Sequence, residues 1–222
     1  MGDLFSNQTE LPWLNSYEKS WKKITQNNKT PHAILISGNR GIGKRTFAAW
    51  LATEHLDITT KYKGCIYPFA VPSHADLKWI RPNEGKRDIG VDQIRQIIDD
   101  LSMSSYEGIG KVTVIEPVNK MNISSANSLL KILEEPPGNT LIILIADKMK
   151  NIPATIISRC QHIKIYPPTE DESREFINHI HPDANIEKID PYILVSPLIY
   201  EEQNNHSQNI ESIVNDLMSM LN

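Results

Sequence analysis

A chain of 222 residues, 40% of them hydrophobic, can bury a sizeable core as one generous domain or as a medium domain with a small companion. Its net charge of -4 excludes a general attraction to nucleic acid, so DNA contact needs a local basic face or partner subunits. No apolar run approaches the roughly 20 residues of a membrane span, MGDLFSNQTE lacks the order of an export signal, and Cys65 and Cys160 show no CxxC spacing; the expectation is a cytoplasmic protein with two free thiols, buried or nearly so.

Residues 13–26 carry Leu14, Tyr17, Trp21 and Ile24 on one face at helical spacing, with Lys19, Lys22 and Lys23 among the polar positions. This predicts a packing helix with a solvated lysine side. Thr30, Pro31 and His32 break the pattern before an apolar strand at 33–37, and His32 either lines a nucleotide base or is a hydrogen-bonded turn residue. The strand runs into SGNRGIGKRT, where Gly38, four further residues and Gly43-Lys44 have the spacing of a phosphate-binding loop. Gly38 permits the tight departure from the strand, Gly41 and Gly43 let bare amides face a phosphate, and Lys44 opens a helix whose positive end points inward. Arg45 stands where a Ser or Thr hydroxyl would hold Mg²⁺, and Thr46 is turned about 100° further round the helix. The loop is therefore phosphate-shaped with a metal ligand missing; the alternative is a glycine-rich turn without ligand.

Residues 57–73 hold Gly64, Pro68 and Pro72 with no sustained period and predict a loop. A short strand follows at 77–81, and Val91, Ile94, Ile98 and Leu101 predict an amphipathic helix covering the sheet. The β-branched run 111–116 suits the centre of a parallel sheet. Asn122 is placed to cap a helix through Ala126, Leu129, Leu130 and Leu133, which Pro136 and Pro137 stop. Residues 140–146 form another strand, 153–159 a short helix begun by Pro153, and 161–166 a last strand. This alternation predicts an α/β doubly wound parallel sheet with ligands at the carboxyl ends of its strands. Pro167 and Pro168 divide a domain at 1–167 from a small helical one at 168–222. There Thr169 and Glu172 form a capping box opening a helix to about residue 180, residues 190–200 carry a second helix broken or bent near Pro197, and Ile210, Ile213, Val214, Leu217 and Leu221 share one face of a third.

PHAILISGNRGIGKRT, the His74-Ala-Asp76 turn, GVDQIR at 90–95, NSLLKILEEPP at 127–137 and TIISRCQ at 155–161 together resemble the delta-prime subunits of bacterial DNA polymerase III clamp loaders, over roughly residues 12–168. Gamma and tau subunits share several of these motifs. The resemblance implies an AAA+ ATPase fold in which ATP sits at the seam between neighbouring subunits. It places an arginine finger, acting in trans, on Arg159. A permanently charged planar guanidinium grips a γ-phosphate bidentately, and such a finger is worth about 10³ to 10⁵ in rate; the alternative is that Arg159 pairs with a local carboxylate or caps a carbonyl.

The same resemblance marks losses in the chain's own nucleotide site. Where active relatives end a strand in Asp-Glu this chain has Glu116-Pro117, and Pro117 offers no general base. The polar sensor after the next strand corresponds to Ala146, the second sensing arginine corresponds to Ile199, and Arg45 removes the metal hydroxyl. Relatives commonly insert a four-cysteine zinc module where this chain has only Cys65, so no zinc is expected. They also carry a collar domain of about a hundred residues, which this chain, ending at Asn222, lacks; it is either a fragment or a reduced protein whose ring contacts come from its first two domains.

The leading expectation is thus an accessory, non-catalytic clamp-loader subunit of a DNA-directed DNA polymerase. It works beside gamma, tau and delta, lends Arg159 to ATP on a neighbour, and reaches the sliding clamp and primed DNA through the complex. The rival is an ATPase working through its own Gly38, Gly43, Lys44 and Thr46. A third reading, free-standing DNA binding, draws only on Lys22, Lys23, Lys148 and Lys150, and scattered lysines usually mark a solvated face.

Overall fold

The computed structural model describes residues 8–26, 30–58 and 64–200. Seven strands lie among them: β1 (Thr9–Glu10), β2 (Ala33–Ser37), β3 (Ile66–Tyr67), β4 (Leu77–Ile80), β5 (Lys111–Ile115), β6 (Thr140–Ala146) and β7 (Gln161–Lys164). Five form one parallel sheet in the order β4-β5-β6-β2-β7, while β1, near the amino terminus, and β3, inside the 57–73 stretch read as a loop, make a small antiparallel ribbon. The helices are α1 (Asn15–Gln26), α2 (Lys44–His55), α3 (Val91–Ser102), α4 (Ile123–Glu134), α5 (Ala154–Ile157), α6 (Glu170–Ile180) and α7 (Pro191–Leu194).

The central strands β2, β5 and β6 are buried along their whole length, as a parallel sheet covered on both faces requires. Alternate residues serve opposite faces. Leu35, Ile115, Ile142 and Leu144 pack with Ile94, Ile97 and Leu101 of α3 and Leu129 and Leu133 of α4. On α3 the stripe is centred on Ile97, with Ile98 only partly buried, because the helix presents its 94, 97, 101 edge to α4. Phe47 of α2 stacks on Trp50 and meets the edge of the Tyr17 ring from α1, while Lys19, Lys22 and Lys23 remain exposed. Asn122 caps α4 by accepting from the Ser125 N–H at 2.8 Å. Pro153 precedes α5 as its cap rather than forming its first residue.

By backbone contacts the chain divides into two units: residues 1–39 with 43–166, and Arg40–Ile42 with 167–222. In the second, Thr169 and Glu172 form a reciprocal capping box at the start of α6. Asp190 caps α7, which ends at Leu194, and Ser173 Oγ donates to the Leu194 carbonyl to tie α6 and α7 together. The apolar stripe from Ile210 to Leu221 lies outside the described residues.

Candidate functional site

Parallel register aligns the carboxyl ends of the strands. Ser37 pairs with Ala146 and Ile80 with Ile115, so Gly38, Arg81, Glu116 and Asp147 leave the sheet side by side. Gly38, Gly41 and Gly43 all adopt positive φ, at 151°, 78° and 89°. At Gly43 a Cβ would also lie 2.6 Å from Leu11 Cδ1, so both backbone and packing disfavour any larger residue. The Gly43 carbonyl accepts the Phe47 N–H at 2.9 Å, which starts α2.

Lys44 is buried, and its ammonium donates to the loop carbonyls of Gly38 (3.0 Å) and Asn39 (2.5 Å) and pairs with Asp147 at 2.7 Å. Those three partners match the three donors of an ammonium, so Lys44 braces its own loop. Burial pulls its pKa below the ordinary lysine value, and Asp147 opposes that shift. Thr46 is buried too and lines a small cavity with Trp50, Ile66 and Phe69.

Glu116 carries the densest network. Its carboxylate is buried, Oε1 accepts from Arg45 Nε, and Oε2 accepts from Trp79 Nε1 at 3.0 Å and Arg81 Nε at 3.2 Å. Two guanidinium groups therefore share one carboxylate where Mg²⁺ would need an anionic oxygen. A divalent cation would meet two like charges there, Pro117 adds no side-chain acceptor, and Ala146 is fully buried. The donor set does not fit a metal-nucleotide. In the second unit the Gly41 carbonyl accepts the Leu198 N–H at 3.0 Å, and a Cβ on Gly41 would lie 2.6 Å from Ile199 Cγ1.

Arg159 follows α5, and its side chain is 34% exposed. Nε and Nη2 both reach Glu134 Oε1, with Nε at 2.8 Å, while Nη1 donates to the Thr155 carbonyl at 2.9 Å and to Ser158 Oγ at 3.3 Å. Both local contacts weighed from sequence, carboxylate pairing and carbonyl capping, are therefore present in the chain by itself. His32 donates through Nε2 to the Leu133 carbonyl at 2.9 Å, the hydrogen-bonded of its two readings. Lys148 and Lys150 are exposed, and Lys22 Nζ lies 5.6 Å from the centre of the Trp50 ring. Both cysteines are free; burial and the nearby Glu18 push the Cys65 thiol far up, and burial pushes Cys160 to about 12.

Sequence reasoning missed Trp79, Arg81 and Asp147 as parts of this site. The available signal was positional, since each lies at or just beyond the carboxyl end of a strand, but only the strand order shows which ends adjoin.

The family model described as DNA polymerase III, delta subunit, matches residues 13–169. The delta-prime subunit of Pseudomonas aeruginosa is 31% identical over 192 residues, which is 83% of this chain and 57% of that protein. The delta-prime subunit of Haemophilus influenzae is 31% identical over 171 residues, 75% of this chain and 52% of its own length. The chain spans about half the length of these curated relatives. Among solved structures, a gamma-subunit-related protein of Thermotoga maritima superposes with a TM-score of 0.54 at 23% identity, covering 81% of this chain and 53% of its own, and shares its fold. No helix among the described residues is long and apolar enough to cross a membrane.

Proposed function

Because the chain belongs to the DNA polymerase III delta-subunit family, with delta-prime subunits among its relatives, we propose that it serves as a non-catalytic clamp-loader subunit in DNA replication. It sits among gamma or tau and delta subunits and presents Arg159 to ATP bound on a neighbour. Loading of the sliding clamp onto primed DNA then proceeds through the complex, with neither zinc nor a nucleotide turned over in this chain.

The observation that carries this reading is the network on Glu116. Arg45 and Arg81 fill the charge that a metal would supply, and Lys44 is taken up by its own loop. Arg159 keeps a partly exposed guanidinium that, among the described residues, pairs with one carboxylate, itself half exposed. The exposed Glu134 carboxylate can give way to a phosphate at Arg159, whereas freeing Lys44 would break its loop and freeing Arg45 or Arg81 would strip charge from the buried Glu116. The test is steady-state ATP turnover by the reconstituted complex. Arg159→Ala is expected to remove hydrolysis at the seam this chain faces; DNA-stimulated turnover equal to wild type would refute the finger role.

A further inference from the structure

Arg159 spends four of a guanidinium's five N–H donors on its own chain. The partners differ in how they are tied to it. Thr155 and Ser158 belong to α5 and its cap, four and one residues back, and so travel with Arg159. Glu134 ends α4, lies 25 residues away in sequence, and has a side chain 50% exposed. Paired contact with a phosphate needs one whole edge of the guanidinium. The Nη1 side is fixed to its own turn, whereas among the described residues the Nε and Nη2 edge is occupied by Glu134 Oε1.

We propose that Glu134 is a positioning residue that parks Arg159 while the seam is empty, and that the guanidinium changes partner from Glu134 to the neighbour's nucleotide phosphate when the seam is filled. This rests on the finger reading above. The Thr155 and Ser158 contacts are kept through the exchange and hold the side chain's direction. The carboxylate keeps the charged group paired until a phosphate arrives, and competes with that phosphate for the same edge.

The test uses the reconstituted complex, with ATP turnover followed across nucleotide concentration so that kcat and KM separate for wild type, E134Q, R159A and the double variant. Gln keeps the shape of Glu134 but weakens the competing contact. Release of a pair this exposed is expected to lower KM about two- to fivefold with kcat kept, as loss of ground-state competition requires. E134Q is expected to change nothing further when Arg159 is already Ala. An unchanged KM in E134Q beside an impaired R159A would overturn parking and leave the finger standing. Equal changes in both backgrounds would show that Glu134 acts elsewhere, and wild-type turnover in R159A would overturn both readings. In the chain by itself, the Arg159 Nε–H resonance is expected to shift in E134Q, and an unmoved resonance would contradict the pairing.

Discussion

Replacing Glu116 with Ala tests what the buried network does. The carboxylate holds the Trp79 indole N–H at 3.0 Å and two guanidinium groups whose side chains are 49% and 46% exposed. A hydrogen bond to a charged acceptor is worth about 1.5 to 3 kcal/mol. Each half-exposed ion pair adds under about 1 kcal/mol after solvent screening. Removing Glu116 is therefore expected to cost about 2 to 4 kcal/mol, and in a chain of this size to lower Tm by roughly 5 to 15 °C. Arg45→Ala leaves Glu116 with Arg81 and Trp79 and should cost under about 1 kcal/mol. Urea unfolding at pH 7, followed by tryptophan fluorescence, measures both. Near-equal losses for the two variants, or a neutral Glu116→Ala, would refute Glu116 as the structural hub and leave its carboxylate free for a metal.

Two further outcomes follow from local geometry. Gly43→Ala must adopt a left-handed backbone and press on Leu11, and is expected to lose about 2 to 4 kcal/mol in thermal unfolding. Gly108→Ala, with similar φ and nothing within 4 Å of its Cβ, should lose only about 1 kcal/mol, and equal losses would remove the packing argument. At Asp76, burial raises the carboxyl pKa, but N–H bonds from Tyr106 and Glu107, with the charges of His74 and Lys111, outweigh it and hold the group below its ordinary value. A depressed carboxyl pKa stabilises the fold above the unfolded-state value and loses that contribution as pH falls through the folded one. The stability gap between wild type and Asp76→Asn, about 1 to 3 kcal/mol at pH 7, should therefore narrow below about pH 4; a gap independent of pH would contradict it.

The legible parts of the fold were those with strong periods or caps. The runs at 33–37, 111–116 and 140–146 announce buried parallel strands because both faces are apolar, and Asn122 and Thr169 announce their helices through local hydrogen bonds. On α3, Ile97 and Ile98 are adjacent and equally apolar, so only the direction of α4 decides which is deeper. The β1–β3 ribbon joins residues more than fifty positions apart through two-residue strands, too short to leave a period. At the site, the sequence marks Arg45 and Glu116 as separate departures from a pattern. Their pairing, with Arg81 and Trp79 added, depends on β4 lying beside β5 and on α2 returning over the sheet, which no single stretch encodes. Asp147 escaped for the same reason, since its value lies in β6 adjoining β2 and not in its own neighbours.

The proposed division of labour is tested most directly by comparing Lys44→Met and Arg159→Ala in one reconstituted complex, with DNA-stimulated ATP turnover as the readout. Among the described residues Lys44 donates to its own loop and Asp147, so its replacement should leave turnover at the wild-type level, while loss of Arg159 should lower it. The reverse pattern, turnover lost with Lys44→Met and kept with Arg159→Ala, would place the chemistry inside this chain and contradict its role as a donor of the finger.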